Sequence, residues 1–203
     1  GDITWHEILA HIAGKGKPVM LATGASTIED VRSAMAVLQR ATRQIVLMQC
    51  NTNYTASKAN LRYVNLNVLR TYARLFPDVV LGLSDHSPGP AAVFGAVALG
   101  ARVLEKHFTD DSRREGMDHA FAVTPDEWKD MVERAREIDA ALGDGIKRIE
   151  DNERETAVLQ RRALRYTRDL AAGTKLGSEH LIALRPMPAG ALAPCDIASV
   201  LGK

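Results

Sequence analysis

Two stretches of this chain end an apolar run in residues able to bind a metal: "GLSDHSPG" at 82–89 and "ARVLEKHF" at 101–108. Side chains alternate along a strand, so Ser84 and His86 share one face of the first, and Glu105 and His107 share one face of the second. In a succession of parallel β/α units the carboxyl ends of all strands lie at one rim. That arrangement brings the two imidazoles together with a hydroxyl and a carboxylate beside them. Such a pair, with oxygen donors nearby, can hold a divalent ion that keeps open positions for water and substrate. A single histidine at a strand end is more often a hydrogen-bonded surface group, and the matched positions on consecutive runs bring the metal reading level with that one.

Other candidates are weaker. In "QCNTNYT" (49–55) the alternation puts Cys50, Thr52 and Tyr54 on one face and Asn51 and Asn53 on the other. The cluster suits hydrogen bonding to a polyol or phosphate, and it equally suits a plain turn rich in Asn and Thr. Cys50 reads as a small core residue, since no basic neighbour lowers its pKa. Thr23, Gly24 and the helix start behind them can offer backbone N–H groups to an anion. Asp118-His119 follow the last strand in a loop able to reach the rim, or form a solvated turn among Asp110, Asp111, Arg113, Arg114 and Glu115. Lys106 points away from His107 by strand parity. His6, His11 and His180 show no partner pattern.

The elements behind these residues repeat from Lys17 to Gly143: a short apolar run, a polar turn, then an amphipathic stretch. The runs are "PVMLAT" (18–23), "IVLMQC" (45–50), "VVLGLS" (79–84) and 101–108. Apolar runs without alternation suit parallel strands covered on both faces. Helix starts lie between them: Ser26-Thr27 before Glu29, and a capping box in "TPDEW", where Thr124 precedes Pro125 and Glu127. The expectation is four β/α units in series, as half of a (β/α)₈ barrel or part of an open doubly wound sheet. No G-x-G-x-x-G follows a strand, which disfavours a dinucleotide-binding sheet. Beyond Gly145 a charged, helix-forming connector leads into a Gly- and Pro-rich tail that reads as a small irregular β module, with the boundary near residue 150.

Composition narrows the class. With 26 Lys and Arg against 25 Asp and Glu the formal charge is +1, so neither a nucleic-acid track nor a basic membrane patch is expected. The absence of a leader and of an apolar stretch of about 18 residues, with only Cys50 and Cys195, points to a cytoplasmic protein in a reducing compartment. The ends, Gly1-Asp2 and "ASVLGK", read as interior cuts of a longer chain.

"KPVMLATGAST", "GLSDHSPG", "AVALGARVLEKHFT", "GMDHAFAVTPDEW" and "ALGDGIKR", in this order and spacing, resemble the sialic acid synthase (N-acetylneuraminate synthase) family. The tail "RRALRYTRDLAAGTKLGSEHLIALRP" resembles the small antifreeze-like (SAF) domain of the same enzymes. The resemblance implies an α/β fold: the C-terminal half of a (β/α)₈ TIM barrel at 1–148, a linker at 149–160 and an incomplete SAF domain at 161–203. It implies a domain-swapped homodimer and condensation of phosphoenolpyruvate with an N-acetylated hexosamine such as N-acetylmannosamine. The products are a nine-carbon 2-keto sugar acid and phosphate. A divalent ion is implied, Mn²⁺ first, with Mg²⁺ or Co²⁺ as alternatives. Carried over by position, His86 and His107 become metal ligands, Ser84 a phosphoenolpyruvate contact and Glu105 an acid near the reacting centre. Tyr54 and Asp118 become sugar contacts and Arg185 the SAF arginine that reaches the partner's site, while Asn51 and Thr52 stand as further substrate-binding candidates.

Departures from the family pattern at Ala22, Asn51-Thr52 and Met117 bear on which sugar is taken. Half a barrel with further phosphoenolpyruvate contacts is expected to precede Gly1, so this piece alone is expected to be inactive. Two other readings stand beside this one: a phosphoenolpyruvate-dependent synthase of another 3-deoxy sugar acid, which the SAF-like tail disfavours, and a non-catalytic fragment.

Overall fold

A computed structural model describes residues 2–203, which divide into two compact units meeting at 144/145. The first unit runs α1 (His6–Ala13), β1 (Val19–Ala22), α2 (Ile28–Ala41), β2 (Ile45–Cys50), α3 (Val68–Leu75), β3 (Val80–Asp85), α4 (Ala91–Ala98), β4 (Val103–Lys106) and α5 (Pro125–Leu142). The four strands are all parallel and lie in the order β1-β2-β3-β4. Each crossover carries a helix, the connection that parallel neighbours require.

One face of the sheet is sealed by helices. Val31, Ala34, Met35 and Leu38 of α2, Leu69 and Tyr72 of α3, and Ala92, Val93 and Ala96 of α4 are buried in one core with Val19, Leu21, Ile45, Leu47, Leu81 and Leu83. Burying one such aliphatic side chain stabilises the fold by about 1.5–3 kcal/mol. The other face is more open than the unbroken apolar runs suggest: Met20 is 61% exposed, between the buried Val19 and Leu21. The physical reason is that a four-stranded sheet does not close on itself, so nothing covers the inner face of its edge strand. Gly82 sits on this inner face because a Cβ there would meet Met48 Cγ at 2.6 Å and the Val103 carbonyl oxygen at 2.8 Å.

Helix starts follow from local chemistry. Thr27 caps α2, its hydroxyl accepting from the Asp30 N–H while the Asp30 carboxylate accepts from Thr27 N and Oγ1. The partner is thus Asp30 rather than Glu29, and its negative charge occupies the helix start that the sequence offered to an anion. At α5, Thr124 N and Oγ1 donate to Glu127 at 2.8 and 2.9 Å. A buried chain of hydroxyls ties helix to sheet: Tyr72 Oη donates to Thr23 Oγ1, which donates to the Met48 carbonyl, each at 2.9 Å.

In the second unit, α6 (Arg154–Gln160) precedes an antiparallel pair, β5 (Ala163–Tyr166) and β6 (Leu181–Leu184), in register from Ala163↔Leu184 to Tyr166↔Leu181. Short 3₁₀ turns, at Ser178–His180 and Pro194–Ser199, complete it.

Candidate active site at the strand ends

Register determines which residues meet. β3 and β4 pair Ser84 with Glu105 and Asp85 with Lys106, so His86 and His107 follow as the next residues on the two strand ends. β2 and β3 pair Cys50 with Ser84. Cys50, Ser84 and Glu105 therefore form one row across the open face, and the two imidazoles stand above it with ring centres 5.1 Å apart.

Ser84 is buried, and its hydroxyl donates to Glu105 Oε1 at 2.7 Å. The bond leaves the serine's lone pairs and the second carboxylate oxygen for a bound molecule. Glu105 is exposed on the open face, so its carboxylate is accessible. The aromatic ring of Tyr54 stands edge-on to His86 at 4.8 Å and lies 6.1 Å from His107, while the buried Phe121 packs against His107 at 4.9 Å and His86 at 6.0 Å. Tyr54 and Phe121 are themselves 5.9 Å apart, so the two imidazoles, an exposed phenol and a buried phenyl ring form one cluster of four rings.

Burial holds His86 below the usual histidine pKa, and the neighbouring His107 adds to this. Asp85, a hydrogen bond to the Asn51 backbone and Glu105 pull the other way. A neutral imidazole keeps a lone pair for a ligand. Cys50 Sγ lies 3.7 Å from His86 Nδ1 and 3.6 Å from Thr52 Oγ1. Any Cβ at Gly24 would overlap that hydroxyl and that thiol, so the β1 end is pressed against the β2 end.

Asp118 comes within 3.6 Å of His107 Nδ1 through its carboxylate, and His119 Nδ1 is anchored 2.8 Å from Thr109 Oγ1. Asn53 turns back into its own loop, accepting from Thr55 and Asn60, and with Asn51, Ser84 and His86 it lines one small crevice. Arg185 lies in the second unit, where its Nε donates to the Gln160 carbonyl at 2.7 Å.

Sequence reasoning overlooked two contacts. One is the thiol of Cys50 against His86; the period-two pattern signalled its face but not its neighbour. The other is the ion pair behind the site, in which Lys106 Nζ meets Asp85 Oδ2 at 2.8 Å with both side chains 1% exposed.

Two imidazoles side by side fit two positions of a divalent ion whose remaining positions go to water or substrate. Among the described residues no group of three or more His, Cys, Asp or Glu is placed to hold an ion.

A parallel β/α half-barrel carrying its polar cluster at the carboxyl ends of the strands, with a small antiparallel module after it, defines a partial TIM-type barrel followed by a β-rich domain. The NeuB family model matches residues 1–147 and the SAF domain model residues 161–203. The chain belongs to the NeuB family. It is 38% identical over 187 residues to an uncharacterised protein of Methanocaldococcus jannaschii, covering 92% of this chain and 54% of that one. It is 36% identical over 207 residues to the N,N'-diacetyllegionaminic acid synthase of Legionella pneumophila, covering 100% of this chain and 56% of that enzyme. The crystal structure of a spore coat polysaccharide biosynthesis protein from Bacillus subtilis matches with a TM-score of 0.65 at 30% identity, covering 98% of this chain and 60% of that one. The chain spans little more than half the length of these relatives. No helix among the described residues is long and apolar enough to cross a membrane.

Proposed function

We propose that this chain supplies the carboxyl-terminal barrel half of a cytoplasmic synthase that condenses phosphoenolpyruvate with an N-acetylated hexosamine, giving a nine-carbon 2-keto sugar acid and phosphate. The observation that carries the reading is the pairing of His86 with His107 above the hydrogen-bonded Ser84 and Glu105. The relatives named as synthases of such acids support it.

In this reaction the methylene carbon of phosphoenolpyruvate bonds to the aldehyde carbon, whose oxygen takes a proton. Water adds to the enolpyruvate C2, and phosphate departs with C–O cleavage to leave the ketone. His86 and His107 would hold the divalent ion, Mn²⁺ first. When bound, the ion supplies Lewis-acid polarisation of a carbonyl oxygen. Glu105, reached from the open face, orients the water and takes its proton. Ser84 holds that carboxylate in place and presents its remaining lone pairs to the enolpyruvate's surroundings. Asn51, Thr52, Tyr54 and Asp118 border the imidazoles on the sugar side. The same reading takes a homodimer in which the SAF domain covers the partner's barrel and Arg185 reaches the partner's site.

The test is phosphate release from phosphoenolpyruvate with N-acetylmannosamine and with 2,4-diacetamido hexoses, in Mn²⁺ or in chelator, comparing this chain with a protein carrying both barrel halves. Metal-dependent release by the longer protein alone is the expected result. Release that ignores chelator, or none with any aldose, removes the reading.

A further inference from the structure

The most deeply buried charges in the molecule lie directly behind the two histidines and take no part in the chemistry above. Asp85 and Lys106 are the last residues of β3 and β4, paired in register, and each immediately precedes one of the imidazole-bearing residues. Their side chains point to the helix-covered face, opposite to Ser84 and Glu105. Asp85 Oδ2 accepts from Lys106 Nζ at 2.8 Å. Its other oxygen, Oδ1, accepts from Ser87 N at 2.8 Å and Ser87 Oγ at 2.6 Å, and Lys106 Nζ also donates to the Ser87 carbonyl. His86 is therefore enclosed by a ring of bonds joining the residues on either side of it. His107 is held separately, its carbonyl accepting from Val123 N at 2.9 Å.

We propose that Asp85 and Lys106 are positioning residues that set the separation of His86 and His107, and so the affinity for the ion those imidazoles hold; this rests on reading the two histidines as the metal pair. Two features separate the ion pair from an ordinary structural contact. It closes the last registered pair before the imidazoles, and the Ser84–Glu105 bond closes the preceding pair from the opposite face. The strand ends are thus pinned on both sides at the point where their separation becomes the separation of two ligands. A buried pair whose charges are fully matched also resists small displacements, because any lengthening leaves charge poorly compensated in a low-dielectric surrounding.

The experiment replaces both charges at once, Asp85→Leu with Lys106→Met, so that no lone charge is left buried. In the full chain, two quantities are read: the nuclear Overhauser effect between the ring protons of His86 and His107 without metal, and the affinity for Mn²⁺ alone from the electron paramagnetic resonance signal of the free ion. The expected result is a cooperatively unfolding variant with a weakened inter-imidazole effect and Mn²⁺ affinity lower by about 10- to 100-fold. An unchanged inter-imidazole effect in the folded double variant overturns the proposal, whatever the metal does. His86→Ala in the same titration isolates the underlying reading: Mn²⁺ binding that survives it removes the ligand assignment, and the ring-to-ring measurement still decides the role of the ion pair. If that double variant does not fold, Asp85→Asn with Lys106→Gln, which removes both charges and keeps a polar group at each position, is judged by the same two measurements.

Discussion

Ser84 and Glu105 face one another across the β3–β4 register, the serine hydroxyl donating to the carboxylate at 2.7 Å. The bond fixes where the only carboxylate in the row beneath the imidazoles points. For the proposed reaction, Glu105→Gln in a protein carrying both barrel halves should lower phosphate release by about 10²- to 10⁴-fold, the range for losing a general acid or base. Ser84→Ala should cost about tenfold, because it loosens the carboxylate without removing it. Steady-state rates compared with folded-state circular dichroism check both; a Glu105→Gln enzyme with full turnover would displace the carboxylate from the reaction.

Lys106→Met alone strands the Asp85 carboxylate in a site where both partners are 1% exposed. The expected loss is about 3–5 kcal/mol, against a near-neutral effect when both residues become apolar. Urea unfolding of the single and double variants reads the difference directly. Equal stability in the two would mean that water reaches the pair.

The helix start at Thr124 gives a pH dependence with a definite sign. Hydrogen bonds from the Thr124 backbone, then from its side chain, hold Glu127 below the usual carboxylate pKa. A carboxyl group with a lowered folded-state pKa stabilises the fold above its unfolded pKa, and that contribution is lost as the pH falls through the folded value. Glu127→Gln should therefore lower the urea midpoint at neutral pH and converge with the parent in acid. Thr124→Ala should cost about 1 kcal/mol at neutral pH. A Glu127→Gln deficit that stayed constant with pH would assign the effect to packing.

Tyr72→Phe removes the first donor of the buried hydroxyl chain and leaves Thr23 bonded to Met48. The expected cost is about 0.5–1.5 kcal/mol, with the ring still filling the core. A thermal unfolding comparison measures it, and a loss of several kcal/mol would show that the bond also holds α3 in place.

Phe121 is the buried floor under His86, His107 and Tyr54. Phe121→Ala should cost about 3–5 kcal/mol by leaving a cavity, and should weaken Mn²⁺ binding as the rings gain room. Unchanged Mn²⁺ affinity with the stability loss present would confine its role to packing.

Much of the frame was legible because its signals are local. An apolar run such as "IVLMQC" reads as a strand without help from distant residues, and β2 covers those same six positions. Strand parity alone put Ser84 with His86 and Glu105 with His107. Parity also leaves Lys106 and Asp85 on the far side, but it could not show that they meet, since that meeting depends on the register between two strands rather than on either one. Tyr54 shows the same limit: it lies in the loop beyond β2, and its edge-on contact with His86 depends on how that loop folds back. The openness around Met20 was hidden for another reason, because an apolar side chain reads the same whether its neighbours are present or not.

β1, β2, β3 and β4 occupy the sheet in the order in which a ribosome makes them. β2, β3 and β4 therefore each find a partner strand already synthesised, and none of the three has to be threaded between neighbours made later. Domains fold amino-terminal first during synthesis, and within this one the strand order lets the sheet grow at a single moving edge as the polypeptide emerges. The two histidines come late in that sequence, so the polar row beneath them can be completed only after α2 and α3 have been synthesised.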